Sequence, residues 1–195
     1  MKVVLASSNP GKLREIGALL RTVELIPQTA LGIEEAAEPH ATFLENALAK
    51  ARHASRAARL PALADDSGLC VDALNGLPGV DSAHYAGRDG DRATRDARNN
   101  EKLLGVLGEE RAAFYVCVMV LVRHADDPRP LFAEGIWRGE IARAPAGTGG
   151  FGYDPLFWLP SLGKTAAQLD PEHKNRISHR AIALQKLLAL LHDAA

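Results

Sequence analysis

Ser7-Ser8-Asn9-Pro10-Gly11-Lys12 is the stretch on which the reading of the fold turns. It follows a short apolar run, Val3-Val4-Leu5-Ala6, and opens into Leu13-Arg14-Glu15-Ile16-Gly17-Ala18-Leu19-Leu20. The first run reads as a strand closed by turn residues. Apolar residues at 13, 16, 19 and 20 give the second run helical spacing. Pro10 suits the first helical position, where a missing N–H costs nothing. A strand, a polar turn and a helix N-terminus together predict an anion site, because free N–H groups and the helix dipole point outward there. Lys12 opposes that dipole, which calls for a negative partner. An ordinary βα turn with a surface lysine is the plain alternative.

Working outward, Val23 to Ile26 reads as a second strand ending at Pro27, and a Glu-rich loop from Gly32 to Pro39 follows. Thr42-Phe43-Leu44-Glu45 has the form of a capping box, with Thr42 as N-cap and Glu45 reaching back. Its helix should run to about Arg59. Next, Ala62-Leu63-Ala64 leads to Asp65-Asp66-Ser67-Gly68, two adjacent carboxylates at the end of a strand. Neighbouring carboxylates repel unless a cation or hydrogen-bond donors neutralise them. Oxygen ligands of this kind suit Mg²⁺, which takes one or two carboxylates and completes its shell with water and phosphate oxygens. The competing reading is a solvated turn, where Asp, Ser and Gly are all common.

Asn75 to Arg88 is a long Gly/Pro-rich loop, a charged helix is expected from about Asp91 to Leu107, and Ala113 to Val122 is a nearly continuous apolar strand. Leu131 to Glu140 reads as its hairpin partner. Gly147-Thr148-Gly149-Gly150-Phe151-Gly152 spells G-x-G-x-x-G, yet Tyr153-Asp154-Pro155 follows in place of a helix, so the dinucleotide reading is rejected. That loop still lets backbone approach a ligand and offers two aromatic faces to a base, while one of the two rings is expected to plug the core. Asp170 to Arg180 gathers His173, Lys174, Arg176, His179 and Arg180, with Ser178 placed to cap a helix from Ala181 to His192.

The bulk properties narrow the class. A chain of 195 residues, 47% hydrophobic and 24% charged, is a soluble globular protein of one expected domain spanning 1–195. A net charge of −1 argues against a general nucleic-acid or membrane-surface binder. Cys70 and Cys117 stand alone in apolar runs and read as reduced core residues. The first residues read as a strand and not as a leader, and no 18-residue apolar stretch occurs. A cytoplasmic enzyme or binding domain is expected.

Two phosphate-suited helix starts, a carboxylate pair and an aromatic glycine loop together imply a nucleotide with Mg²⁺. Ser7-x-Asn9-x-x-Lys12, Ala64-Asp65-Asp66-Ser67-Gly68-Leu69, Pro78-Gly79-x-x-Ser82-Ala83, Gly149 to Pro155 and Lys174-Asn175-x-x-Ser178-His179-Arg180 stand in that order. Together they closely resemble the inosine/xanthosine triphosphate pyrophosphatase family, which clears non-standard purine nucleotides, over residues 3 to about 190. The resemblance implies an α/β fold with an elongated mixed β-sheet and flanking helices, two lobes around a central cleft, and a homodimer. It implies Mg²⁺-assisted water attack on the α-phosphorus of dITP, ITP or XTP, giving the monophosphate and pyrophosphate.

By position, Ser7, Ser8, Asn9, Pro10, Gly11 and Lys12 would hold the triphosphate, with Lys174 adding charge. Asp66 resembles the general base and a metal ligand, and Glu38 the second metal ligand. Ser67 would lie beside the substrate. Phe151, Gly152, Tyr153, Asp154, His179 and Arg180 resemble the base pocket, with Arg180 or backbone N–H groups meeting a 6-keto oxygen. The family usually has glycine two residues after that glutamate, where this chain has His40. Glu35 or Glu45 could then replace Glu38, and Asn46 and Lys50 are further candidates for phosphate contact. A Maf-like pyrophosphatase for modified pyrimidine nucleotides and a nucleotide sensor without turnover are the competing functions.

Overall fold

The structure is a computed structural model that describes residues 2–20 and 23–193. Its elements are β1 (Lys2–Leu5), α1 (Pro10–Leu19), β2 (Glu24–Pro27), α2 (Phe43–Ala58), β3 (Ala62–Val71), α3 (Arg92–Val106), β4 (Ala112–Val122), β5 (Leu131–Ile141), β6 (Phe157–Leu159), β7 (Lys164–Thr165), α4 (Pro171–Ile177) and α5 (His179–Asp193). Helices flank a seven-stranded sheet of order β2-β1-β3-β4-β5-β6-β7. It is mixed: β1 is parallel to β2 and β3, while β6 is antiparallel to β5 and β7. The α/β class with a mixed sheet is therefore as expected. No helix among the described residues is long and apolar enough to cross a membrane.

Local chemistry explains most boundaries. Pro10 opens α1 behind Asn9, whose side chain caps the N–H groups of Gly11 and Lys12. Thr42 caps α2 by accepting from the Glu45 N–H, and its hydroxyl donates to the Glu45 carboxylate at 2.6 Å. The expected reach of Glu45 to the cap backbone is thus replaced by a side-chain bond. Arg59, at φ 55°, ends that helix. Ser178 accepts from the Ala181 N–H at 3.3 Å and caps α5 as expected. Some helical segments were not foreseen as such: α4 lies inside the stretch read only as a polar cluster, a short 3₁₀ turn at Asp72–Leu74 precedes the Gly/Pro-rich loop, and another at Gly79–His84 lies within it.

The chain forms two compact units: residues 1–66, 117–135 and 178–195, and residues 67–116 and 136–177. In the first unit, strand alternation sorts the core onto two faces. Val3, Leu5, Leu63, Cys117, Met119 and Leu121 pack with Ile16 of α1 and Ala183, Leu184 and Leu187 of α5. Val4, Ala6, Ala62, Ala64, Val118 and Val120 pack with Ala47, Ala51 and Ala54 of α2. The second unit has its own core, in which Tyr115, Trp137 and Phe157 meet with centroids 4.6–6.4 Å apart, beside Leu69, Val71, Leu103 and Tyr153. Cys70 and Cys117 are both buried.

Candidate active site

Asp65 and Asp66 do not end a strand or form a turn; both lie within β3. Successive strand residues face opposite ways, so the two neighbouring carboxylates are held apart on different faces of the sheet. Each face supplies its own cations. Asp65 points with Leu63 toward α1 and α5, where its Oδ2 meets Lys12 Nζ at 3.1 Å and Arg180 Nε at 3.3 Å. Arg180 also reaches Glu15 Oε2 through Nη1 at 2.5 Å. Lys12, Glu15, Asp65 and Arg180 thus form a charge-balanced buried network. Burial alone would raise the Asp65 pKa, but Lys12, Arg180 and Lys50 outweigh it and hold the carboxyl well below the usual range.

Asp66 points with Ala64 toward α2. Its Oδ1 lies 3.4 Å from Lys50 Nζ, and Glu38 Oε1 lies 2.7 Å from the same ammonium. Burial pushes the Asp66 pKa above its ordinary value; Lys50 and Lys12 pull it down, while Glu38 and Asp65 add to the rise. For Lys50, burial disfavours the charge, yet Asp66, Asp65 and Glu38 together raise its pKa and keep it an ammonium. Adjacent residues of one strand therefore take opposite electrostatic roles. Asp65 is a locked anion, and Asp66 is a carboxylate poised to take a proton.

The Asp66 Oδ2 is buried and has no hydrogen-bond partner among the described residues. That orphaned oxygen, and the convergence of Glu38 and Asp66 on one cation, fit a hard divalent ion that uses one or two carboxylates. Among the described residues no group of three or more His, Cys, Asp or Glu could hold a metal. Glu35 accepts from the Ser8 hydroxyl and Glu45 is bonded to Thr42, so Glu38 is the glutamate that reaches the Lys50 ammonium.

The loop before α1 differs from the open anion cradle expected of it. Asn9 Oδ1 already accepts from the N–H groups of Gly11 at 2.9 Å and Lys12 at 3.3 Å. Ser7 Oγ accepts from the Asn9 N–H, and the Ser7 N–H is bonded to the Leu5 carbonyl. An asparagine cap satisfies the same donors that a phosphate would use. The anion-binding capacity of Ser7 to Lys12 thus rests on the Lys12 ammonium and the serine hydroxyls. The negative partner that Lys12 called for is, within the chain, Asp65.

In the second unit, Asp154 is the hub of the glycine loop. Its Oδ2 accepts from the Phe151 N–H at 2.9 Å and from Lys174 Nζ at 2.5 Å. A Cβ on Gly150, at φ +71°, would fall 1.9 Å from that same oxygen, so only glycine lets the carboxylate dock. Lys174 is buried in this pair, and its ammonium also lies 5.1 Å from the Phe151 ring centroid, with the Arg92 guanidinium at 4.9 Å. Gly152 donates to Asp96 and accepts from Asn100. Tyr153 is a core residue whose hydroxyl donates to the Ser82 carbonyl at 2.8 Å. Phe151 is therefore the ring of this loop that lies outside the core. Ser67 is half-buried in β3, and His179 is buried at the start of α5.

Asp66, Glu38, Ser7 to Lys12, His179 and Arg180 thus belong to the first unit, and Ser67, Phe151 to Asp154 and Lys174 to the second. Sequence reasoning missed Asp65 and Glu15 as the holders of Arg180 and Lys12. The signal available was strand parity, because Asp65 shares its face with Leu63 and Asp66 does not.

The chain resembles known proteins over nearly its whole length. A dITP/XTP pyrophosphatase of Burkholderia pseudomallei is 63% identical over 196 residues, covering 98% of this chain and 94% of that protein. The dITP/XTP pyrophosphatase of Bordetella parapertussis is likewise 63% identical, covering 96% and 89%. Among solved structures, a HAM1 protein from Coxiella burnetii superposes with a TM-score of 0.90 at 47% identity, covering 99% of both chains. Residues 3–190 match the Ham1 family, and the chain belongs to it.

Proposed function

We propose that this protein is a nucleoside triphosphate pyrophosphatase that converts dITP, ITP and XTP to the monophosphate and pyrophosphate and so clears the nucleotide pool. The observation that carries the reading is the split of Asp65 and Asp66 into a fixed anion and a carboxylate of raised pKa beside Lys50. A buried carboxylate whose pKa is raised is a stronger base than an exposed one, which favours water activation. The relatives that are named dITP/XTP pyrophosphatases support the choice of substrate.

In this reading Asp66 orients a water and accepts its proton. The water oxygen bonds to the α-phosphorus as the bond to the bridging oxygen breaks, and pyrophosphate leaves. Lys12 holds the phosphates against the Ser7 and Ser8 hydroxyls, and Asp65 fixes the position of Lys12. Mg²⁺ held by Glu38 and Asp66 would neutralise phosphate charge and act as a Lewis acid. Phe151, Gly152 and Asp154 are assigned to the base. A donor set that meets a 6-keto oxygen leaves buried groups unpaired against a 6-amino base, which supports discrimination of roughly 10⁴-fold. The homodimer, the single domain and the cytoplasmic setting belong to the same proposal. A pyrimidine-directed activity has no finding behind it.

Asp66→Asn separates the enzyme from a nucleotide sensor. Turnover should fall by about 10²–10⁴-fold, the usual worth of a general base, while ITP binding persists. Unchanged turnover would remove Asp66 from the chemistry.

A further inference from the structure

The loop that carries Glu38 has no regular secondary structure and is largely exposed, and the Glu38 side chain itself is 45% exposed. Such a segment does not hold a carboxylate in place by itself. It is laid antiparallel along α2 and tied there at successive turns. His53 Nε2 is 3.0 Å from the Glu34 carbonyl, Lys50 binds Glu38, and Asn46 binds His40. The Asn46 tie differs in kind, because it grips backbone at two points. Its Oδ1 accepts from the His40 N–H at 3.0 Å, and its Nδ2 donates to the His40 carbonyl at 3.1 Å. The side-chain amide thereby mimics a neighbouring strand and fixes one residue's orientation.

Asn46 is itself 1% exposed, on the same buried stripe of α2 as Lys50 one turn later. The two residues hold the backbone of His40 and the side chain of Glu38, only two positions apart. We propose that Asn46 is a positioning residue that sets Glu38 beside Lys50 and Asp66, acting through the backbone of His40. Either backbone group of residue 40 can be gripped whatever its side chain, which explains how a histidine is accommodated there.

The proposal rests on the assignment of Glu38 above, and four proteins distinguish the two: the unaltered chain, Asn46→Ala, Glu38→Gln and the double variant. Mn²⁺ binding without nucleotide is measured by electron paramagnetic resonance, pyrophosphate release is measured against Mg²⁺ concentration, and amide exchange is followed at residues 38–41. Asn46→Ala should weaken Mn²⁺ binding and raise the Mg²⁺ requirement by about 10-fold, as loss of a group that orients a ligand does. Exchange at His40 should quicken. In the Glu38→Gln background Asn46→Ala should change neither metal measure further. Equal effects in both backgrounds, or none in the unaltered one, overturn the positioning role while leaving Glu38 as a ligand. If Glu38→Gln alone leaves binding and turnover intact, the assignment of Glu38 fails and the role of Asn46 goes with it. Should Asn46→Ala fail to fold, Asn46→Asp carries the same comparison, since it keeps the volume and the acceptor for the His40 N–H but loses the donor.

Discussion

Asp65→Asn tests the electrostatic core of the structure. The substitution keeps volume and shape but leaves Lys12 and Arg180 facing a neutral amide, in a position where the Asp65 side chain has 0% exposure and that of Arg180 3%. Arg180 would retain Glu15, whereas Lys12 would lose its 3.1 Å partner. Removing one member of a buried ion pair costs about 3–5 kcal/mol, because the remaining charge is left uncompensated. For a chain of this length each kcal/mol moves the melting temperature by roughly 2–4 °C, so a fall of about 6–20 °C is expected. The assay is thermal and urea unfolding at pH 7, read as a lower midpoint with an unchanged urea slope. The sign with pH is also fixed. The native Asp65 pKa lies below its unfolded value of about 3.9, so its stabilisation is complete above that value and is lost as pH falls further. Asp65→Asn should therefore lose less stability between pH 4 and 2 than the unaltered protein. A neutral-pH loss under 1 kcal/mol, with an unchanged acid slope, would refute the network.

Three further outcomes are expected. Asp66→Asn should be at least as stable as the parent at pH 8 without metal, since burial makes ionised Asp66 unfavourable there; the native pKa is raised, so its contribution is lost as pH rises through it, and differential scanning calorimetry checks this. Gly135→Ala would place a Cβ 2.1 Å from the His179 carbonyl oxygen and 2.5 Å from the Ala183 nitrogen, so α5 must shift; a stability loss of about 1–3 kcal/mol and reduced turnover should follow in urea titration and pyrophosphate assays. Chelation by EDTA should stop pyrophosphate release, and restored Mg²⁺ should recover it, with no change in circular dichroism.

Much of the fold was legible because local signals agreed with one another. Pro10 after Asn9, Thr42 before an alanine-rich run and Ser178 before α5 each announced a helix start that is present. The apolar run of β4 announced a strand buried on both faces, and the carboxylate pair was recognisable as one that needs cations beside it. Its placement inside β3 was not, since Asp, Ser and Gly are turn residues by propensity and only tertiary pairing with Lys12, Arg180 and Lys50 overrides that. The same holds for Tyr153, whose neighbours read as a ligand loop while its ring joins a core built from residues distant in sequence. Glu15 looked like an ordinary helical residue, because its bond to Arg180 is set by long-range packing and not by spacing. Asn46 was read as a candidate for phosphate contact, whereas its amide is bonded to the backbone of His40.

The most direct test of the central claim is hydrolysis in H₂¹⁸O with Mg²⁺ and ITP, XTP, GTP or ATP in parallel, resolving pyrophosphate from orthophosphate and locating the label. Pyrophosphate from ITP and XTP, little from GTP or ATP, and ¹⁸O in the monophosphate are the expected results. Orthophosphate, or label found in pyrophosphate, would place the attack at another phosphorus and contradict the mechanism.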